Sequence, residues 1–173
     1  MSLSSDSNTI NALGIFGRLE PSQEKYFKEL QEKYSKIPEN DESIGIFNHL
    51  SLIINNDVSV GEIPNYLDLL RELKPYLPFK IKTLDVIIKD EKHLALSFET
   101  SQTQGIRALA SKFVPEGVVT TYYTKVVWYV PKENQEKVIK ILKETKEMIF
   151  YDFILVANKQ NDANTIYSSN RYK

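Results

Sequence analysis

One apolar stretch of the sequence, Gly45-Ile46-Phe47-Asn48-His49-Leu50-Ser51-Leu52-Ile53-Ile54, is interrupted by two polar side chains that can do chemistry, His49 and Ser51. The run of branched and aromatic residues reads as a buried strand over 45–54. Successive strand residues point to opposite faces, so His49 and Ser51, at i and i+2, share one face. An imidazole gives or takes a proton near neutral pH. A hydroxyl beside it donates a hydrogen bond to an oxyanion such as a phosphate oxygen. The same two residues also suit a satisfied polar pair inside a core. The rest of the chain decides between the readings.

The sequence holds only two histidines, His49 and His93, so chemistry that needs two imidazoles must use both. His93 follows the charged run Lys89-Asp90-Glu91-Lys92 and reads as a surface hairpin residue. There are no cysteines, which excludes disulfides and thiolate metal sites. The 173 residues suit one domain of two lobes, with a flexible segment over 1–10 and a single domain over 11–173. Apolar residues make up 42% and charged residues 26%, a globular balance. The formal net charge of −1 gives no global basic field for non-specific nucleic-acid binding. No signal peptide and no membrane-spanning run is legible, so a soluble cytoplasmic protein is expected.

Several elements must position those side chains. A strand is predicted over 12–19, then a helix led by Pro21 with Tyr26, Phe27, Leu30 and Tyr34 as its buried stripe. After an acidic loop at 39–42 and the His49 strand, a second helix runs from Ile63 to Leu73 with Leu67, Leu70 and Leu73 inward. One strand over 79–88, a hairpin turn and a returning strand from His93 follow. A third helix covers Ser101 to Lys112. A strand over 120–130 has Tyr123, Lys125, Val127 and Tyr129 on one face. A fourth helix begins at Pro131, with Val138, Ile141, Leu142 and Thr145 inward, and a last strand over 149–156 leads to a polar tail. Strand–helix–strand at 12–54 and hairpin–helix–strand at 79–130 make two similar halves. The fold class expected is α+β, bilobal and pseudo-symmetric. Antiparallel sheets line a central cleft, with helices outside and strands 45–54 and 120–130 facing each other.

With both strands placed, the sequence resembles the 2H phosphoesterase superfamily, which includes RNA 2′,3′-cyclic phosphodiesterases and 2′-5′ RNA ligase-like proteins. That group carries two His-x-Thr/Ser-x motifs, one in each half, across a cleft that holds a cyclic phosphate. The first motif matches His49-Leu50-Ser51-Leu52. The opening strand and helix resemble 12–34, and the closing strand with a later Tyr167 and Arg171-Tyr172 resembles 150–172. The second motif finds its best match in Lys125-Val126-Val127-Trp128, with lysine at the histidine place and Val127 at the hydroxyl place.

The resemblance implies His49 and Ser51 as catalytic residues and Lys125 and Tyr123 as ligand-binding residues. It implies a nucleotide or RNA phosphate as partner, with no metal and no other cofactor. In such a mechanism one histidine is the general base and the other the general acid, while the hydroxyls hold the phosphate. An alkylammonium is a poor base at neutral pH but a good anion partner. Losing one acid/base group forfeits about 10²–10⁴-fold in rate. Three readings follow. The chain is a cleft that binds a nucleotide or RNA end with impaired catalysis, a divergent cyclic phosphodiesterase using His49, or a protein-interaction scaffold without ligand. In the first reading Tyr122, Tyr123, Trp128 and Tyr129 are available to stack on bases.

Overall fold

The computed structural model describes residues 8–38, 49–159 and 162–168. The opening segment to residue 7, the acidic loop at 39–42, positions 45–48 of the predicted strand and the Arg171-Tyr172 pair lie outside the described residues. Strand β1 (Thr9–Leu19) is followed by helix α1 (Pro21–Tyr34), strand β2 (His49–Ser59) and helix α2 (Ile63–Leu73). Then come β3 (Phe79–Lys82), β4 (Val86–Lys89), β5 (His93–Ser97), helix α3 (Gln104–Phe113) and β6 (Tyr123–Val127). Helix α4 (Lys132–Leu142), β7 (Glu147–Lys159) and β8 (Asp162–Ser168) complete the order. Among the described residues no helix is long and apolar enough to cross a membrane.

Two antiparallel sheets define two lobes. The first runs β2-β1-β7-β3, with β8 also on β7, and the second runs β4-β5-β6. The sequence predicts one strand over 79–88, and the structure corrects this. The chain leaves the ladder between Lys82 and Val86, so β3 pairs with β7 in the first lobe and β4 with β5 in the second. Gln102 holds the end of β3: its side chain donates to the Lys82 carbonyl and accepts from the Lys82 amide, both at 2.8 Å. The polar tail is a second departure, because residues 162–168 form β8 against β7.

Helix α1 also differs from its predicted stripe. Phe27, Leu30 and Gln31 are its buried residues, while Tyr26 is 37% exposed. The inward face is turned by one residue because Gln31 has a partner inside, described below. Helix α2 buries Tyr66, Leu69, Leu70 and Leu73 against one apolar core that also holds Ile15, Leu52, Phe150 and Leu155 of the first sheet. Burial of each such side chain is worth about 1.5–3 kcal/mol.

The lobes are joined beside the functional stretch. The chain ahead of β6 lies antiparallel to β2, with the Ile54 amide donating to the Gly117 carbonyl at 2.9 Å and the Val119 amide to the Leu52 carbonyl at 3.0 Å. Gly117 makes this approach possible. Its φ is +85°, and a Cβ there would collide with the Asn55 side chain. That amide is itself fixed, donating to the Tyr66 hydroxyl at 2.6 Å and to the Glu116 carbonyl at 2.9 Å.

Candidate functional site

His49 and Ser51 stand at the start of β2, opposite Arg18 and Phe16 of β1. Cross-strand partners share a face, so all four side chains lie on one side of the sheet. Phe16 meets the His49 ring edge-on at 4.7 Å. Gly14 leaves room for this, since a Cβ there would come within 2.7 Å of the Phe16 ring and of the Ile53 carbonyl. The ladder then slips: Phe16 pairs with Ser51, yet Ile15 pairs with Ile53, which leaves Leu52 as an extra residue. The bulge breaks alternation. Leu52 and Ile53 are both buried, and the polar face ends at Ser51.

The facing wall repeats this arrangement. In β6, Lys125 pairs with Ala95 and Val127 with Leu94, which leaves Val126 as the extra residue. From His49, β2 is half-buried, buried, half-buried, buried, buried, and β6 shows the same five-residue pattern from Tyr123. The matching places are therefore His49 with Tyr123, Leu50 with Thr124, Ser51 with Lys125, Leu52 with Val126 and Ile53 with Val127. By this match Lys125 faces the cleft as Ser51 does and Tyr123 as His49 does, one step from the alignment drawn from sequence, and Val127 is core at 0% exposure. The same bulge corrects the predicted faces. Trp128 falls on the Lys125 side, and Lys125 Nζ sits 4.7 Å from the Trp128 ring centre.

His49, Ser51, Tyr123, Lys125 and Trp128 line one cleft of about 180 Å³ between the lobes. All four side chains singled out from sequence are thus brought together. Lys125 is paired with Asp90 of the β4–β5 turn at 3.3 Å. The hydrogen bond from Lys125, and then its charge, hold the Asp90 carboxyl below the ordinary carboxylate range. Asp90 reaches it from a strained turn, with φ of 53° at Asp90 and 64° at Glu91.

Two residues behind the wall escaped the sequence reading. His93 is a buried residue, 4% exposed, and not a surface hairpin residue. Its ring packs 4.7 Å from that of Trp128 and 4.8 Å from that of Tyr129. The Tyr129 amide donates to His93 Nδ1 at 3.1 Å, so that nitrogen is an acceptor. The charged turn before His93 hides its burial. Gln31 of α1 reaches the chain just after β6: its Nε2 donates to the Trp128 carbonyl at 2.6 Å and its Oε1 accepts from the Trp128 amide at 2.5 Å. A lone glutamine on a charged helix gives no sequence signal for this role. Among the described residues no three His, Cys, Asp or Glu side chains converge to hold a metal.

Two lobes with matching strands across a cleft, one bearing His-x-Ser, have the fold of the 2H phosphoesterases. Solved structures similar in fold include LigT of Escherichia coli in its apo form, at TM-score 0.54 and 11% identity over 92% of this chain and 96% of that one. LigT complexed with 3′-AMP matches at TM-score 0.55 and 10% identity, over 93% and 96%. TT0787 of Thermus thermophilus matches at TM-score 0.52 and 16% identity, over 91% and 96%. No family model and no curated protein matches the sequence.

Proposed function

We propose that the cleft binds the phosphate of a nucleotide or of an RNA end, and that the protein is impaired as a phosphodiesterase. The observation that carries this is the matched placement of Ser51 and Lys125 on facing strands, with one imidazole between two walls that would need two. Ser51 offers a neutral donor and Lys125 a compact cation with three donors, which together suit an oxyanion. E. coli LigT solved with 3′-AMP, with NADP+ and with phosphate supports a phosphate-bearing ligand for this fold. In-line displacement at phosphorus needs a base on one side and an acid on the other. His49 supplies one group. A phenol, not a second imidazole, stands at the place that matches His49.

The register favours one second reading, in which Tyr123 is an acid. His49 takes a proton from water, the water oxygen bonds to phosphorus, the ester bond to the leaving oxygen breaks, and the Tyr123 phenol gives that oxygen its proton. Lys89 Nζ lies 4.6 Å from the Tyr123 ring centre, a cation beside that ring.

The test is binding and hydrolysis of 2′,3′-cyclic nucleotides by the wild type, His49→Ala, Tyr123→Phe and Lys125→Ala. We expect binding without product, weakened by about 10-fold or more in Lys125→Ala, the scale of one charge-assisted hydrogen bond. Product lost in both His49→Ala and Tyr123→Phe would establish the second reading. Neither binding nor product would reject both and leave an interaction scaffold. Turnover gained by Tyr123→His with Lys125→Thr would support the impaired-enzyme reading, because those substitutions restore the missing groups in the observed register.

A further inference from the structure

The cleft is smaller than the roughly 300–1,000 Å³ of a pocket that engulfs a whole small ligand. Its floor continues outward as a surface of aromatic rings and lysines. Lys89 stands opposite His93 at one end of the three-stranded sheet, and Tyr123 stands opposite Ser97 at the other. Even so, the Lys89 ammonium lies 4.6 Å from the Tyr123 ring centre and 3.2 Å from the Tyr122 hydroxyl. The side chains therefore lean diagonally across the sheet toward each other. Tyr122 and Tyr123 pack edge-to-face at 4.9 Å, and Tyr122 remains 45% exposed. Tyr123 belongs both to this surface and to the cleft.

Resting on the reading of the cleft as a phosphate site, we propose that Tyr122 and Lys89 form a second subsite for the adjoining nucleotide of a single strand, so that the ligand is an oligonucleotide end and not a mononucleotide. Tyr122 offers an exposed ring for a base to stack on, and Lys89 a cation beside it for the intervening phosphate. Every base has a π-face, so such a platform tolerates sequence while favouring length. With a net charge of −1, the chain has no diffuse basic field to do this instead.

The experiment compares a 2′,3′-cyclic mononucleotide with a single-stranded RNA hexamer carrying the same cyclic end. Both are titrated into wild type, Tyr122→Ala, Tyr122→Trp and Lys89→Ala. The hexamer should bind wild type about tenfold or more tightly than the mononucleotide, the scale of one stacked base. Tyr122→Ala should remove that advantage and leave mononucleotide affinity unchanged, while Tyr122→Trp should keep it. In Lys89→Ala the salt dependence of hexamer binding should fall by about one phosphate contact. A hexamer that binds wild type no better than the mononucleotide overturns the subsite while leaving the phosphate site standing. A Tyr122→Ala loss equal for both ligands also overturns it. Failure of both ligands to bind wild type overturns subsite and phosphate site together.

Discussion

Asp90 holds the cation that a ligand phosphate would need. The carboxylate and the phosphate compete for Lys125, so the resting ion pair lowers the affinity of the cleft for anions. Asp90→Asn should tighten cyclic nucleotide binding by no more than about two- to fivefold, because an exposed pair is weak. Asparagine tolerates the left-handed backbone at φ 53°, so the turn should survive. The pair also sets a pH dependence. Asp90 titrates lower in the folded chain than in the unfolded one. Its contribution to stability is therefore present above the ordinary carboxylate pKa, about 3.9, and is lost as pH falls through the lower folded value. Urea melts should show wild type above Asp90→Asn at pH 6, with the gap closing below about pH 4. A gap that persists at low pH would remove the ion pair as its cause.

At the scale of elements, the two bulged strands decide which side chains face the cleft. Thr124 takes the place of Leu50 and is buried at 2%, and its hydroxyl has no hydrogen-bond partner among the described residues. An unpaired buried hydroxyl costs about 1–3 kcal/mol. Thr124→Val keeps the shape and removes that group, so it should raise the unfolding free energy by roughly 0.5–1.5 kcal/mol. A destabilised Val variant would mean that the hydroxyl is satisfied. The span of helix α2 was legible, because its apolar spacing and the prolines after it agree, although Tyr66 and Leu69 are buried and Leu67 only half so. His49 and Ser51 were legible because they interrupt an apolar run. The faces beyond Lys125 were not, since Val126 and Val127 are both apolar and either could be the extra residue. Nor was the split of 79–88 between two sheets, where alternation continues across a break made by distant partners. Gln31 and His93 were missed because their partners are the backbone of Trp128 and Tyr129, which no side-chain pattern reveals.

At the scale of the molecule, Gln31 ties helix α1, distant in sequence, to the Trp128 wall of the cleft. Gln31→Leu should keep its burial but leave the Trp128 amide and carbonyl without the glutamine. It should cost about 2–4 kcal/mol in urea unfolding and loosen the Trp128 segment in hydrogen exchange. A loss under about 0.5 kcal/mol would show that water replaces the clamp. The sheets themselves differ in reach along the chain. The second lobe pairs strands that lie within residues 86–127, whereas β1 pairs Ala12 with Asn158. Closing so long a loop is entropically costly before any contact rewards it. The order of events in folding is therefore uneven between the two walls. The Lys125 wall can assemble from neighbouring segments as they are synthesised. The His49 strand must wait beside an incomplete sheet until β7 arrives to complete it, which makes the half that carries the imidazole the slower and more aggregation-exposed one.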